Sequence, residues 1–151
     1  MVAKLSSNNS PDRSDAQVTC ADCSKPLVLV VDDHEDTRFL LRYMLTARGL
    51  DVLEAENGEV ALDIAARLHP GLILMDGSLP GLDGLSATRR LREIPTLRRV
   101  PIIFLSGHVE SAWQAKAREA GSDDYLVKPL DMAQLDRVLA QHLFVEISGK
   151  P

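Results

Sequence analysis

Residues Leu27-Val28-Leu29-Val30-Val31-Asp32-Asp33 place two carboxylates directly after a five-residue run of branched aliphatic side chains. A run that short, apolar throughout and bounded by polar residues, reads as a strand buried on both faces of a parallel sheet. Three more runs have the same form. Leu72-Ile73-Leu74-Met75 precedes Asp76, Ile102-Ile103-Phe104-Leu105 precedes Ser106, and Tyr125-Leu126-Val127 precedes Lys128-Pro129. Ligands of open parallel sheets bind outside the carboxyl ends of the strands. Four strand ends therefore bring Asp32, Asp33, Asp76, Ser106 and Lys128 to one crevice.

Between the strands the apolar spacing becomes helical. The first helix is expected from Asp36 to Arg48, with Leu40, Met44 and Ala47 facing inward and Gly49 as its stop. The half-polar Val52–Ala55 reads as an edge strand. Asn57 caps a second helix that buries Ala61, Ile64, Ala65 and Leu68, and Pro70-Gly71 breaks it. The loop Gly77–Gly84, with three glycines and Pro80, shapes a close turn at the end of the third strand. A short helix Leu85–Arg92 and an Arg-rich connection follow. Ser111 and Gln114 predict a capping box for a fourth helix ending at Gly121. Asp131 and Gln134 cap a fifth helix with Met132, Leu135, Val138 and Leu139 inward. Five strand–helix units predict the α/β class: a three-layer α/β/α sandwich with right-handed crossovers.

The organisation expected is a polar, disordered or loosely docked N-terminal arm over 1–26, one domain over 27–143 and a short tail over 144–151. Apolar residues make up 45% of the 151 and charged ones 26%, the balance of a globular chain. The net charge of −5 speaks against direct DNA binding. No apolar run is long enough for membrane insertion, and the first residues hold no signal-peptide core, so a cytoplasmic location is expected. Cys20 and Cys23 form a C-x-x-C without the further ligands a zinc site needs, and read as two thiols of the arm. Arg89, Arg90, Arg92, Arg98 and Arg99 read as a solvated basic face. His69 and His142 lie near helix ends, where the dipole accounts for them.

Three carboxylates gathered at one point raise one another's pKa unless a cation joins them. Mg²⁺, a hard cation with oxygen ligands, is the matching cofactor. Asp33 and Asp76 are expected as direct ligands, Asp32 through water, and the Ser78 backbone carbonyl completes the set. His34 reads as a turn residue, because Mg²⁺ disfavours imidazole. Asp76, alone on the expected central strand, suits a nucleophile that forms an aspartyl phosphate. Phosphoryl transfer consists mainly of positioning and charge neutralisation. Lys128, the Ser106 hydroxyl and backbone N–H groups at Gly77 and Gly107 would hold the phosphoryl oxygens.

The stretches VLVVDDHED, LILMDGSLPGLDG, PIIFLSGH and GSDDYLVKPLD resemble the receiver domain of bacterial two-component response regulators. The resemblance covers about Leu27 to His142 in order and spacing. It implies a flavodoxin-like sheet with strand order 2-1-3-4-5. It also implies Mg²⁺ on Asp32 and Asp33, phosphorylation of Asp76, and roles for Ser106 and Lys128 at the phosphoryl group. Pro129 falls at the family's cis-proline, and Ser78 and His108 at positions that tune hydrolytic water. A switch is implied as well, in which Ser106 and Tyr125 move and the face of helix four, strand five and helix five is remodelled. The partners implied are a histidine kinase or histidine phosphotransfer protein and a downstream protein.

The function expected is a stand-alone receiver, monomeric or dimerising on phosphorylation, that catalyses only its own phosphorylation and dephosphorylation. The alternatives are a receiver fragment of a hybrid histidine kinase or longer regulator, and a Mg²⁺-dependent small-molecule phosphatase with an Asp nucleophile. Haloacid-dehalogenase-like phosphatases carry a second catalytic Asp two residues after the nucleophile, where this chain has Ser78. They also need a cap for which it has no spare length.

Overall fold

The computed structural model describes residues 26–143. The N-terminal arm up to residue 25, with Cys20 and Cys23, and the tail 144–151 lie outside the described residues. Five strands, β1 (Leu27–Val31), β2 (Asp51–Ala55), β3 (Leu72–Asp76), β4 (Ile102–Ser106) and β5 (Asp124–Val127), pair in parallel in the order 2-1-3-4-5. Between and after them run α1 (Glu35–Thr46), α2 (Gly58–Leu68), α3 (Gly84–Glu93), α4 (Ser111–Ala120) and α5 (Met132–His142). The expected α/β/α sandwich is the observed one, with β3 central and half-polar β2 at an edge.

Strand alternation divides the core in two. Val28, Val30, Leu72, Leu74, Ile103 and Leu105 face α1 and α5. Leu29, Val31, Ile73, Met75, Ile102 and Phe104 face α2, α3 and α4. Each such side chain removed from water contributes about 1.5–3 kcal/mol, so both faces of the three inner strands need a helix layer. That requirement produces the three layers.

Several helix faces differ from the sequence expectation. On α1 the buried side chains are Leu41, Met44 and Leu45, while Leu40 is exposed and Ala47 lies at the solvated cap. Apolar residues occupy more than one face of α1, with Phe39 and Tyr43 also exposed, so spacing alone could not choose its inner face. Leu68 and Met132 are exposed as well, each a terminal residue of its helix.

The caps divide similarly. Asn57, Asp83 and Asp131 each accept a backbone N–H from the first turn of their helices. The Ser111–Gln114 box is absent: Glu110 is the N-cap without a side-chain bond, and the Gln114 amide donates to the Val109 carbonyl instead. Asp131 receives the Gln134 N–H at 2.7 Å, but the reciprocal Gln134 bond does not form and its Oε1 has no partner.

The Arg-rich connection contains a 3₁₀ turn, Pro95–Leu97, and Arg92 is no member of a solvated face. Its guanidinium donates to the carbonyls of Gly121, Leu97, Arg98 and Val100 and to the Asp123 carboxylate. Asp123 in turn accepts the Ile102 N–H at 3.0 Å. One side chain thus satisfies the loop carbonyls before β4 and ties them to the end of α4, a use that no local pattern announces. Gly121, at φ 117, caps α4 as expected, and a Cβ there would meet Arg92 Cγ at 2.6 Å.

Candidate functional site

Strand register sets the geometry at the carboxyl edge. Val31 pairs with Met75, so Asp32 and Asp76 stand level on β1 and β3. Asp76 pairs with Leu105 and Ser106 with Val127, so Ser106 and Lys128 follow one step further along the twisted edge. The lysine's peptide bond to Pro129 is cis.

Asp32 is fully buried. Its Oδ1 accepts the His34 N–H at 2.8 Å, and its Oδ2 accepts Lys128 Nζ at 3.0 Å. Lys128 also donates to Asp76 Oδ1 at 3.2 Å, the atom that accepts the Ser78 N–H at 3.2 Å. Asp76 is 2% exposed, and its other oxygen, Oδ2, has no hydrogen-bond partner. Asp32, Asp33, His34 and Asp76 each offer a ligand atom within 4.8 Å of the others.

Burial pushes the Asp76 carboxyl above the usual carboxylate range. The Ser78 N–H works against this, the Asp32 charge adds to it, and Lys128 opposes it. Burial alone would lower the Lys128 ammonium, but Asp32 and Asp76 together hold it above its ordinary value. A buried carboxylate with one orphaned oxygen, beside a second buried acid, calls for a further cation. The oxygen-rich donor set fits Mg²⁺ in the way the sequence suggests.

Ser106 lies at the end of β4, its hydroxyl accepting the His108 N–H at 3.1 Å. Tyr125 is half-buried and stacks on Phe104 with ring centroids 5.9 Å apart, and its hydroxyl donates to the His108 carbonyl at 2.8 Å. The tyrosine is thus tied to the loop that begins at Ser106. His108 stacks on Trp113 at 4.5 Å, with its Nδ1 3.6 Å from Glu110.

The two glycines differ. A Cβ on Gly77 would lie 2.6 Å from the Phe104 ring, so core packing alone requires glycine there, whereas a Cβ on Gly107 would meet nothing within 4 Å.

Gly84, which carries no sequence signal beyond its place in a glycine-rich loop, proves necessary. Its Cβ would run into the Asp76 carbonyl oxygen and come within 2.9 Å of Gly77 Cα. Gly84→Ala is therefore expected to destabilise the protein by about 1–3 kcal/mol, the usual cost of overpacking against backbone. Urea unfolding measures it; an unchanged midpoint would mean that the start of α3 gives way freely.

The response regulator receiver domain model matches residues 28–140. The chain belongs to this receiver family. A 14.6 kDa protein of unassigned function from Leptolyngbya boryana is 38% identical over 115 residues, covering 76% of this chain and 88% of that protein. The response regulator PleD of Caulobacter vibrioides is 38% identical over 108 residues, but this chain spans only 24% of its length. Among solved structures, the receiver domain of the Pseudomonas aeruginosa PAO1 sensor histidine kinase PA1611 is 36% identical. It aligns with a TM-score of 0.74 over 79% of this chain and 98% of that one, and holds magnesium in its active-site cleft. Receiver domains are phosphoryl acceptors that bind Mg²⁺ at an acidic site and act between histidine kinases and downstream effectors. Among the described residues of this receiver no helix is long and apolar enough to cross a membrane.

Proposed function

We propose that the chain is a stand-alone, cytoplasmic receiver that accepts a phosphoryl group on Asp76 from a histidine kinase or histidine phosphotransfer protein. The observation that carries this is the buried Asp76 carboxylate. One of its oxygens is held by Lys128 and Ser78, and the other is free of any partner. An ionised carboxylate needs no base to attack phosphorus. The P–N bond to the donor histidine breaks, a P–O bond to Asp76 forms, and the donor ring leaves as a protonated or neutral imidazole.

Lys128 then moves from carboxylate to phosphoryl oxygen, and the Ser106 hydroxyl with the Gly107 N–H group takes up the rest of the new charge; the Gly77 N–H, expected to share this task, is instead donated to the Leu105 carbonyl at 2.9 Å. Asp33 and Asp76, Asp32 through water and the Ser78 carbonyl would hold Mg²⁺, which supplies charge neutralisation at the phosphoryl oxygens. Turning Ser106 toward the phosphoryl group pulls on the His108 segment, and with it the Tyr125 hydroxyl bonded there. That link supports a switch whose output is the α4–β5–α5 face, read by a downstream protein or by a second copy of the chain. Neither DNA nor a membrane is a proposed partner. The receiver domain is assigned to 27–143.

Coverage of 88% of the Leptolyngbya protein supports the stand-alone reading. The likeness to the PA1611 receiver favours a second one, in which the chain acts as the receiver part of a hybrid kinase. Intact-protein mass after incubation with acetyl phosphate tests the chemistry. A single phosphoryl adduct that needs Mg²⁺ and is released by hydroxylamine is expected. An adduct formed equally well in EDTA, or stable to hydroxylamine, overturns the assignment.

A further inference from the structure

One side chain at the crevice has no part in that chemistry. His34 is the N-cap of α1, yet its ring makes no capping bond. Its Nδ1 lies 3.2 Å from Asp32 Oδ1 and 3.2 Å from Asp33 Oδ1, and its side chain is 69% exposed. The ring is exposed, and its contact with Asp32 Oδ1 is of hydrogen-bond length. The rotamer adopted aims a nitrogen at the acid pair.

The distances suit common ligation. Octahedral ligands at ~2.1 Å from a metal stand roughly 3.0 Å apart when adjacent and about 4.2 Å apart when opposite. The two 3.2 Å separations match adjacent positions, and the 4.8 Å limit on all four residues admits the opposite ones once the ion draws its ligands in. The orphaned Oδ2 of Asp76, buried in the same cluster, is an independent sign that an acceptor oxygen there lacks a cation or hydrogen-bond donor.

We infer that His34 Nδ1 is a fourth metal ligand, so that the crevice takes an imidazole-accepting divalent transition metal in addition to Mg²⁺. Imidazole suits Fe²⁺, Ni²⁺ and Zn²⁺ and adds little for Mg²⁺. This rests on reading the acidic cluster as the Mg²⁺ site. It departs from the sequence expectation, which discounts His34 because it considers Mg²⁺ alone. Chain neighbours alone do not settle it, since the residue after an acid pair can point either way from a helix cap.

Calorimetric titration with NiCl₂ and with MgCl₂ tests it on the full chain. Cys20→Ser and Cys23→Ser are present throughout, so that thiols do not compete for nickel. His34→Ala and His34→Gln are both measured, because neither removes a capping bond and the glutamine keeps the polarity. The expected result is that each variant binds Ni²⁺ about tenfold or more weakly while Mg²⁺ affinity stays within about twofold. Ni²⁺ and Mg²⁺ affinities that change by the same factor overturn the inference and leave His34 a hydrogen-bonded countercharge to the acids. Asp33→Asn separates the two levels. Loss of both metals supports the shared site, whereas Ni²⁺ binding undiminished by Asp33→Asn places nickel elsewhere and overturns the inference. Mg²⁺ binding undiminished by Asp33→Asn overturns the metal assignment beneath it.

Discussion

Asp76→Asn is expected to take up no phosphoryl group from acetyl phosphate or from a histidine donor, a complete loss of the adduct in the intact-protein mass. The substitution keeps volume and shape but replaces the attacking oxygen by an amide, which is no nucleophile at phosphorus. The fold should survive. Burial holds the Asp76 carboxyl above its ordinary pKa, so its ionisation costs the folded state more than the unfolded one. The sign follows: the contribution of Asp76 to stability is fully present below its unfolded pKa, near the ordinary carboxylate range. It is lost as pH rises through the raised folded value. At neutral pH without a divalent cation the wild type bears that penalty and the asparagine variant does not. The variant should therefore melt at or above the wild-type temperature in EDTA, and Mg²⁺ should narrow the gap by stabilising the wild type through binding. An adduct retained in the variant would move the nucleophile to another residue. A variant that melts well below wild type in EDTA would mean that the carboxylate is structural.

Lys128→Ala should have the largest effect on stability. It leaves two carboxylates, at 0% and 3% side-chain exposure, without their shared ammonium. Removing one partner of a buried ion pair typically costs ~3–5 kcal/mol. Here the lysine is itself 28% exposed and water can enter the space it leaves, so about 3 kcal/mol is the expected loss. The Lys128 pKa is held above its ordinary value by the two carboxylates, so on the alkaline side its stabilising contribution is present up to that ordinary value and is lost only in strong base. Urea unfolding at neutral pH in EDTA therefore reads the whole effect. Mg²⁺ should restore part of the loss, because a dication at the same carboxylates replaces the missing charge. Phosphoryl uptake should remain slow even in Mg²⁺, since the ammonium at the phosphoryl oxygen is gone. Unfolding indistinguishable from wild type in EDTA would show that the three groups are independent in solution.

Much of the site stands in the sequence because its residues are tied to strand ends. Asp32, Asp76, Ser106 and Lys128 each follow a short apolar run, and a parallel sheet aligns the ends of such runs at one edge whatever the order of its strands. Caps made by Asn57 and Asp131 were likewise visible, since a cap is a bond between residues three apart. The Ser111–Gln114 box failed for a related reason. The helix begins at Ser111 itself, and one residue of offset at a helix start abolishes the motif.

Other features depend on residues far apart in the chain. Arg92 is one of five arginines between positions 89 and 99, and its sequence neighbours do not mark it as the one that binds Gly121 and Asp123. Gly84 matters because α3 starts against the Asp76 carbonyl, and Gly77 because the Phe104 ring fills the place of a Cβ. The inner face of α1 went to Leu41, Met44 and Leu45 rather than Leu40, because apolar side chains occupy more than one face of the helix and the position of α5 decides which of them is covered. His34 stands apart from this group: the acids it meets, Asp32 and Asp33, are its chain neighbours, and its ring reaches them through a side-chain torsion that adjacency does not fix.

Short unbroken apolar runs and period-3.6 apolar patterns are properties of consecutive residues. They determined by themselves the strands, the α/β layering and the set of carboxylates and lysine at one edge. Which side chains satisfy loop carbonyls, where a Cβ has room and which helix face is wetted are set by atoms brought together from distant parts of the chain. Those outcomes depend on close packing at the scale of a single carbon atom, and only the tertiary structure decided them.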